Sequence, residues 1–159
     1  MTYKAVMVGM LGDTERIGMM LGRIICKRLH RGEDLLLAIK KIAIEEKLEA
    51  AIVLSGVGCV LEAKVRDARG VTIRMIPEHC EIVSLQGTVS ATRTHLHIAL
   101  AKEDLSTVGG HLVEGCIINT TCELVLQELK GYTYGVRLDE ETGYDEIIFR
   151  EKTDDDGSK

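Results

Sequence analysis

The segment Thr94–Ala101, THLHIALA, leaves the chain few choices. Leu96, Ile98 and Leu100 alternate with His95, His97, Ala99 and Ala101. Such alternation is the period of a β-strand, whose successive side chains point to opposite faces. The leucines and the isoleucine then face a core. Both histidines share the other face, roughly 6.5–7 Å apart along the strand, and the two alanines leave room beside them. The following KEDLSTVGG ends in Gly109-Gly110, which reads as a turn. The returning chain would bring His111 opposite the first pair. Three neutral imidazoles with an open fourth position suit a divalent metal, zinc above all. The same letters also describe a solvated polar face with His111 an ordinary turn residue, and spacing alone leaves both readings open.

The rest of the chain is the kind that folds. Its 159 residues are enough for one domain with a real core. With no tryptophan and one phenylalanine, Phe149, that core must be aliphatic. The scarcity of aromatic rings also removes the stacking platforms of single-strand nucleic-acid binders. The net charge is −5, whereas duplex binding gains most of its affinity from Lys and Arg on phosphates. DNA is therefore a partner that the charge disfavours. The basic groups Lys27-Arg28-His30-Arg31 and Arg66, Arg69 and Arg74 read as solvated strand and turn positions, although an oligomer could gather copies of one on a single face.

Five cysteines, Cys26, Cys59, Cys80, Cys116 and Cys122, form no CxxC and are odd in number. A reduced, cytoplasmic setting follows. AVMVGMLG near the start lacks the flanks of a signal peptide, and the longest uncharged run, Ala50–Leu61, is too short to span a bilayer. A soluble protein is expected, with no membrane partner.

In chain order, residues 1–20 form an appendage of unknown role, 21–150 one domain, and 151–159 an acidic tail. A strand is expected over Arg23–Leu29. Residues 33–48 read as a helix that Gly32 introduces, with Leu35, Leu36, Ile39, Ile42 and Ala43 on one apolar stripe. Leu37, Ile44 and Leu48 make a second stripe, which either wedges between sheet and loops or packs on another subunit. Ala50–Leu54 and Cys59–Arg66 read as two strands separated by Ser55-Gly56-Val57-Gly58. These glycines give a bend or a close backbone approach rather than a phosphate loop, because neither GxGxxG nor a following helix is present. Val71–Ile76 and Glu81–Ser90 read as further strands, whereas CIINTTCELVLQEL is ambiguous by period alone and leans to strand on its NTT and Val/Ile content. Tyr132–Leu138 continues in extended form, DEETGYDE as a turn, and IIF as a short strand. His79 lies beside Cys80, but adjacent strand residues face opposite ways, so the pair is structural.

The segments RLHRGEDLLLAIKKIA, SGVGCV, EIVSLQGTVS, HLHIALA, GGHLVEGCIINTTCELVL and DEETGYDE, in this order, resemble the PPC domain shared by plants and prokaryotes, which is found with AT-hooks. The resemblance covers about residues 23–149. It implies an α+β fold, a mainly antiparallel β-sheet or partial barrel with one principal helix, assembled as a homotrimer. It also implies a metal site on His95, His97 and His111, and makes Ser55–Gly58 a wall of its pocket. The fold group includes acetolactate decarboxylase, a zinc enzyme with a similar histidine pattern, so a small-molecule ligand at the metal is a further implication. The regulatory, DNA-associated role of AT-hook relatives is the alternative, but no Arg-Gly-Arg hook is present in this sequence. No residue is assignable as general acid or base. Glu114 would point away from the face of His111, and the parity of Glu123 cannot be counted across the intervening Gly and Asn. No GxSxG or histidine-activated cysteine supports a nucleophilic triad.

Overall fold

A computed structural model describes residues 22–152; the appendage at 1–20 and nearly all of the acidic tail lie outside them. The elements run β1 (Ile24–His30), α1 (Leu35–Glu45), β2 (Ala51–Arg66), β3 (Ile73–Ile76), β4 (Cys80–Val89), β5 (Thr94–Ala101), β6 (Thr107–Leu112), β7 (Ile117–Glu128), β8 (Tyr132–Leu138) and β9 (Asp145–Glu151). This is an α+β, mainly antiparallel fold, as expected. The principal sheet has the order β1-β7-β2-β4-β5-β6, with β3 beside β2. The far end of β2 also pairs with β6 through Val65↔Leu112 and Arg66↔His111, so the sheet partly closes on itself.

The helix is shorter than the apolar pattern implied. Asp34 caps it, accepting a hydrogen bond from Leu37 N at 3.0 Å, so Glu33 and Asp34 precede the first turn. The other Asp34 oxygen accepts from Gly115 N at 2.6 Å, tying the helix start to the chain beyond β6. Leu35, Leu36, Ile39, Ile42 and Ala43 join one buried cluster with Val60, Leu96, Leu100, Leu124 and Leu126. Of the second stripe, Leu48 is buried, while Leu37 and Ile44 remain about half exposed.

The two strands expected on either side of Ser55–Gly58 are one long strand, β2, whose register against β7 shifts at several points. The glycines serve close approach. A Cβ on Gly56 would lie 2.8 Å from a Leu85 methyl, and one on Gly58 2.1 Å from the Thr121 carbonyl oxygen. They do not wall the histidine pocket. Gly56 borders a separate groove on the outer face of β2 and β4.

β8 and β9 form a separate hairpin. It is held to the start of β2 by the Tyr134 hydroxyl, which donates to Ala51 O at 3.1 Å, and by the Lys152–Glu49 ion pair. All five cysteines are free thiols. Among the described residues no helix is long and apolar enough to cross a membrane.

Candidate metal centre

β5 behaves as its alternation dictates. Leu96, Ile98 and Leu100 are buried, and His95 and His97 project from the opposite face. The connection to β6 turns earlier than Gly109-Gly110. Lys102 N donates to Ser106 O, Leu105 N donates to Lys102 O, both at 2.9 Å, and Leu105 takes a positive φ of 65°. The glycine pair instead lies within β6, opposite Ala99 and Ile98. A Cβ on Gly109 would stand 2.3 Å from the Ile98 carbonyl oxygen, and one on Gly110 2.6 Å from that of Arg66. The pair lets β6 pass tightly between β5 and β2. That passage sets His97 directly opposite His111, and His111 opposite Arg66. Directly paired residues of antiparallel strands share a face, so Gln86, His97, His111 and Arg66 form one cross-strand row.

The three imidazoles converge. Ring centroids are 5.2 Å apart for His95–His97, 5.1 Å for His95–His111 and 5.6 Å for His97–His111. One nitrogen from each lies within 4.8 Å of the others. Tetrahedral zinc with bonds of about 2.0–2.1 Å separates its ligand atoms by roughly 3.3 Å, a difference within the reach of small side-chain rotations. The chemistry of the donors also fits. Burial first, then the Arg66 guanidinium, pushes the His111 imidazole down to about 4. Burial and then Arg93 lower His95 as well. Both rings therefore present neutral lone pairs near pH 7. His111 Nδ1 is buried with no hydrogen-bond partner among the described residues.

Other candidates stand apart from the cluster. Glu114 pairs with Lys40 at 3.2 Å, and Glu123 lies on β7 opposite Arg28. His79 and Cys80 border a different pocket. Sequence reasoning missed two residues near the histidines. Arg66 is no solvated strand residue, since its Nε is buried. Arg93 lies in the β4–β5 turn, which Ser90 closes by accepting from Arg93 N at 3.0 Å. Only Arg93 left a local signal, its two-residue spacing from His95; the pairing that brings in Arg66 is non-local.

The chain matches the Plants and Prokaryotes Conserved (PCC) domain over residues 18–130. It belongs to that family. It is 37% identical over 125 residues to the bifunctional protein GlmU of Synechococcus sp. (strain JA-3-3Ab), a match covering 79% of this chain and 20% of GlmU. The chain thus spans about a fifth of the length of the curated relatives that it matches. Among solved structures it resembles a hypothetical protein from Salmonella, with a TM-score of 0.80 and 28% identity over 82% of this chain and 95% of that one. A protein from Archaeoglobus fulgidus described as metal-containing has a TM-score of 0.69 and 29% identity, over 80% and 94% of the two chains. A candidate DNA-binding protein from Bacteroides thetaiotaomicron has a TM-score of 0.71 at 20% identity, over 81% and 94%, a likeness of fold alone.

Proposed function

We propose that this PCC-domain protein holds a divalent metal, zinc being the best fit, on His95, His97 and His111, with one coordination position left for a small molecule. The observation that carries this reading is the convergence of one nitrogen from each of the three imidazoles within 4.8 Å. The description of the Archaeoglobus relative as metal-containing supports it. Imidazole donors suit zinc, iron, copper and nickel, and elemental analysis tells these metals apart. A metal with an open position supplies Lewis acidity and a readily ionised water. The protein's own residues would orient the ligand, with Arg66, Arg93 and the hairpin tip beside the rings. Similarity to acetolactate decarboxylase remains an analogy of ligand pattern, and fold does not fix function. Elemental analysis of untagged protein should find about one metal per chain, lost in His97→Ala. Chelation should lower Tm by several degrees. No metal together with unchanged melting after chelation would end this reading.

A DNA-associated role is the second reading, favoured by the name of the Bacteroides neighbour and opposed by the net charge of −5. Titration with duplex DNA over a range of salt concentrations decides it. We expect no binding at physiological salt; a complex whose affinity falls steeply with added salt would reverse that expectation.

A further inference from the structure

Beside the histidines lies a pocket of about 400 Å³ lined by Arg66, Arg93, His95, His111 and the hairpin-tip residues Tyr144 and Glu146. Arg66 Nε and Arg93 Nη1 are buried and have no hydrogen-bond partner among the described residues. Neither arginine enters an ion pair among the described residues. A guanidinium always carries its charge, and a buried N–H left without an acceptor is costly. Asp145 and Glu146 border the same pocket without pairing with either arginine. Two unpartnered guanidinium groups and a divalent cation would leave the pocket strongly positive, and those two carboxylates offset only part of that charge.

We infer that Arg66 and Arg93 form the anion-recognition half of this site, taking the oxyanion group, carboxylate or phosphate, of a small molecule whose other end reaches the three histidines. The inference rests on the metal reading for the second half of the site, but the arginine half can be tested without it. The planar fork of a guanidinium matches both oxyanions, and a pocket of this volume admits a compact ligand rather than a polymer. Arg66 is fixed by its register opposite His111. Arg93 is fixed by the turn in which its carbonyl oxygen accepts from Ser90 N at 2.7 Å. The receptor is therefore built on ordered backbone rather than on long surface side chains.

Malonate and inorganic phosphate, titrated separately by calorimetry into metal-loaded and chelated protein, distinguish the two oxyanions. Wild-type protein should bind at least one of them. Arg66→Gln and Arg93→Gln should each weaken it by about tenfold or more while keeping their metal content. Arg93→Gln, in a turn, guards against a folding defect in Arg66→Gln, and Tm is recorded for both. Equal affinity in wild type and both variants, or metal-loaded protein that binds neither anion, overturns the inference and leaves the metal reading standing. Arginine-dependent binding by protein that takes up no metal would support the inference and end the metal reading.

Discussion

His111 shows how much one position can carry. It is half-buried, faces His97 across the sheet, and shares its row with Arg66. Desolvation and that guanidinium hold its imidazole neutral down to about pH 4, well below the unfolded value of about 6.5. Between these two values the unfolded chain takes up a proton that the folded chain refuses, so stability falls as the pH drops from about 6.5 towards 4. His95 is shifted in the same direction. In chelated protein this part of the stability should be complete above pH 6.5 and lost through the window below it. Discounted for the exposure of the ring, it should amount to on the order of 1 kcal/mol. Melting curves at pH 7 and 4.5 measure it, with His111→Gln as the control for carboxylates that titrate nearby. A variant with the same pH slope as wild type would show that His111 does not carry the effect.

At the scale of elements, the site depends on the fit of β6 between β5 and β2. Gly109→Ala places a methyl 2.3 Å from the Ile98 carbonyl oxygen, and backbone cannot yield as a flexible side chain can. We expect a loss of roughly 2–4 kcal/mol, read as a lowered urea midpoint at unchanged slope; an unchanged midpoint would mean that β5 and β6 do not approach so closely. The same strand marks what the sequence could convey. THLHIALA declares its faces because a period of two is local and one face is buried. Gly109-Gly110 looks like a turn because glycine serves tight turns and close strand contact equally well, and only the neighbouring strand decides between them. The Ser55–Gly58 stretch misleads in the same way, reading as a break where β2 runs on. Helix α1 was legible from its apolar stripe, but its start depended on Asp34, whose carboxylate caps one turn and reaches Gly115. Arg66 reads as a solvated position in the sequence because its cross-strand neighbour His111 lies on β6, far along the chain.

At the scale of the whole molecule, the apolar surface left uncovered bears on assembly. Leu54, Val57 and Val83 are 49%, 58% and 60% exposed on β2 and β4, and they border a groove of about 490 Å³. Leu37 and Ile44 on α1 are similarly bare. Scattered exposed leucines need no explanation, but a contiguous apolar patch on a sheet face does. The homotrimer implied by the PPC resemblance would cover such a patch with another copy of the chain, and each Å² removed from water contributes about 25 cal/mol. Sedimentation equilibrium at micromolar concentration should then give three times the chain mass of 17.5 kDa. Leu54→Glu combined with Val83→Glu would bury two unpaired carboxylates in the contact, a penalty of several kcal/mol that the monomer does not incur. That variant should sediment as a folded monomer, whereas Leu37→Glu should do so only if the helix stripe belongs to the same contact. Wild-type protein that sediments at 17.5 kDa would leave the patch to a different partner. A trimer untouched by the double substitution would move the subunit contact to another face.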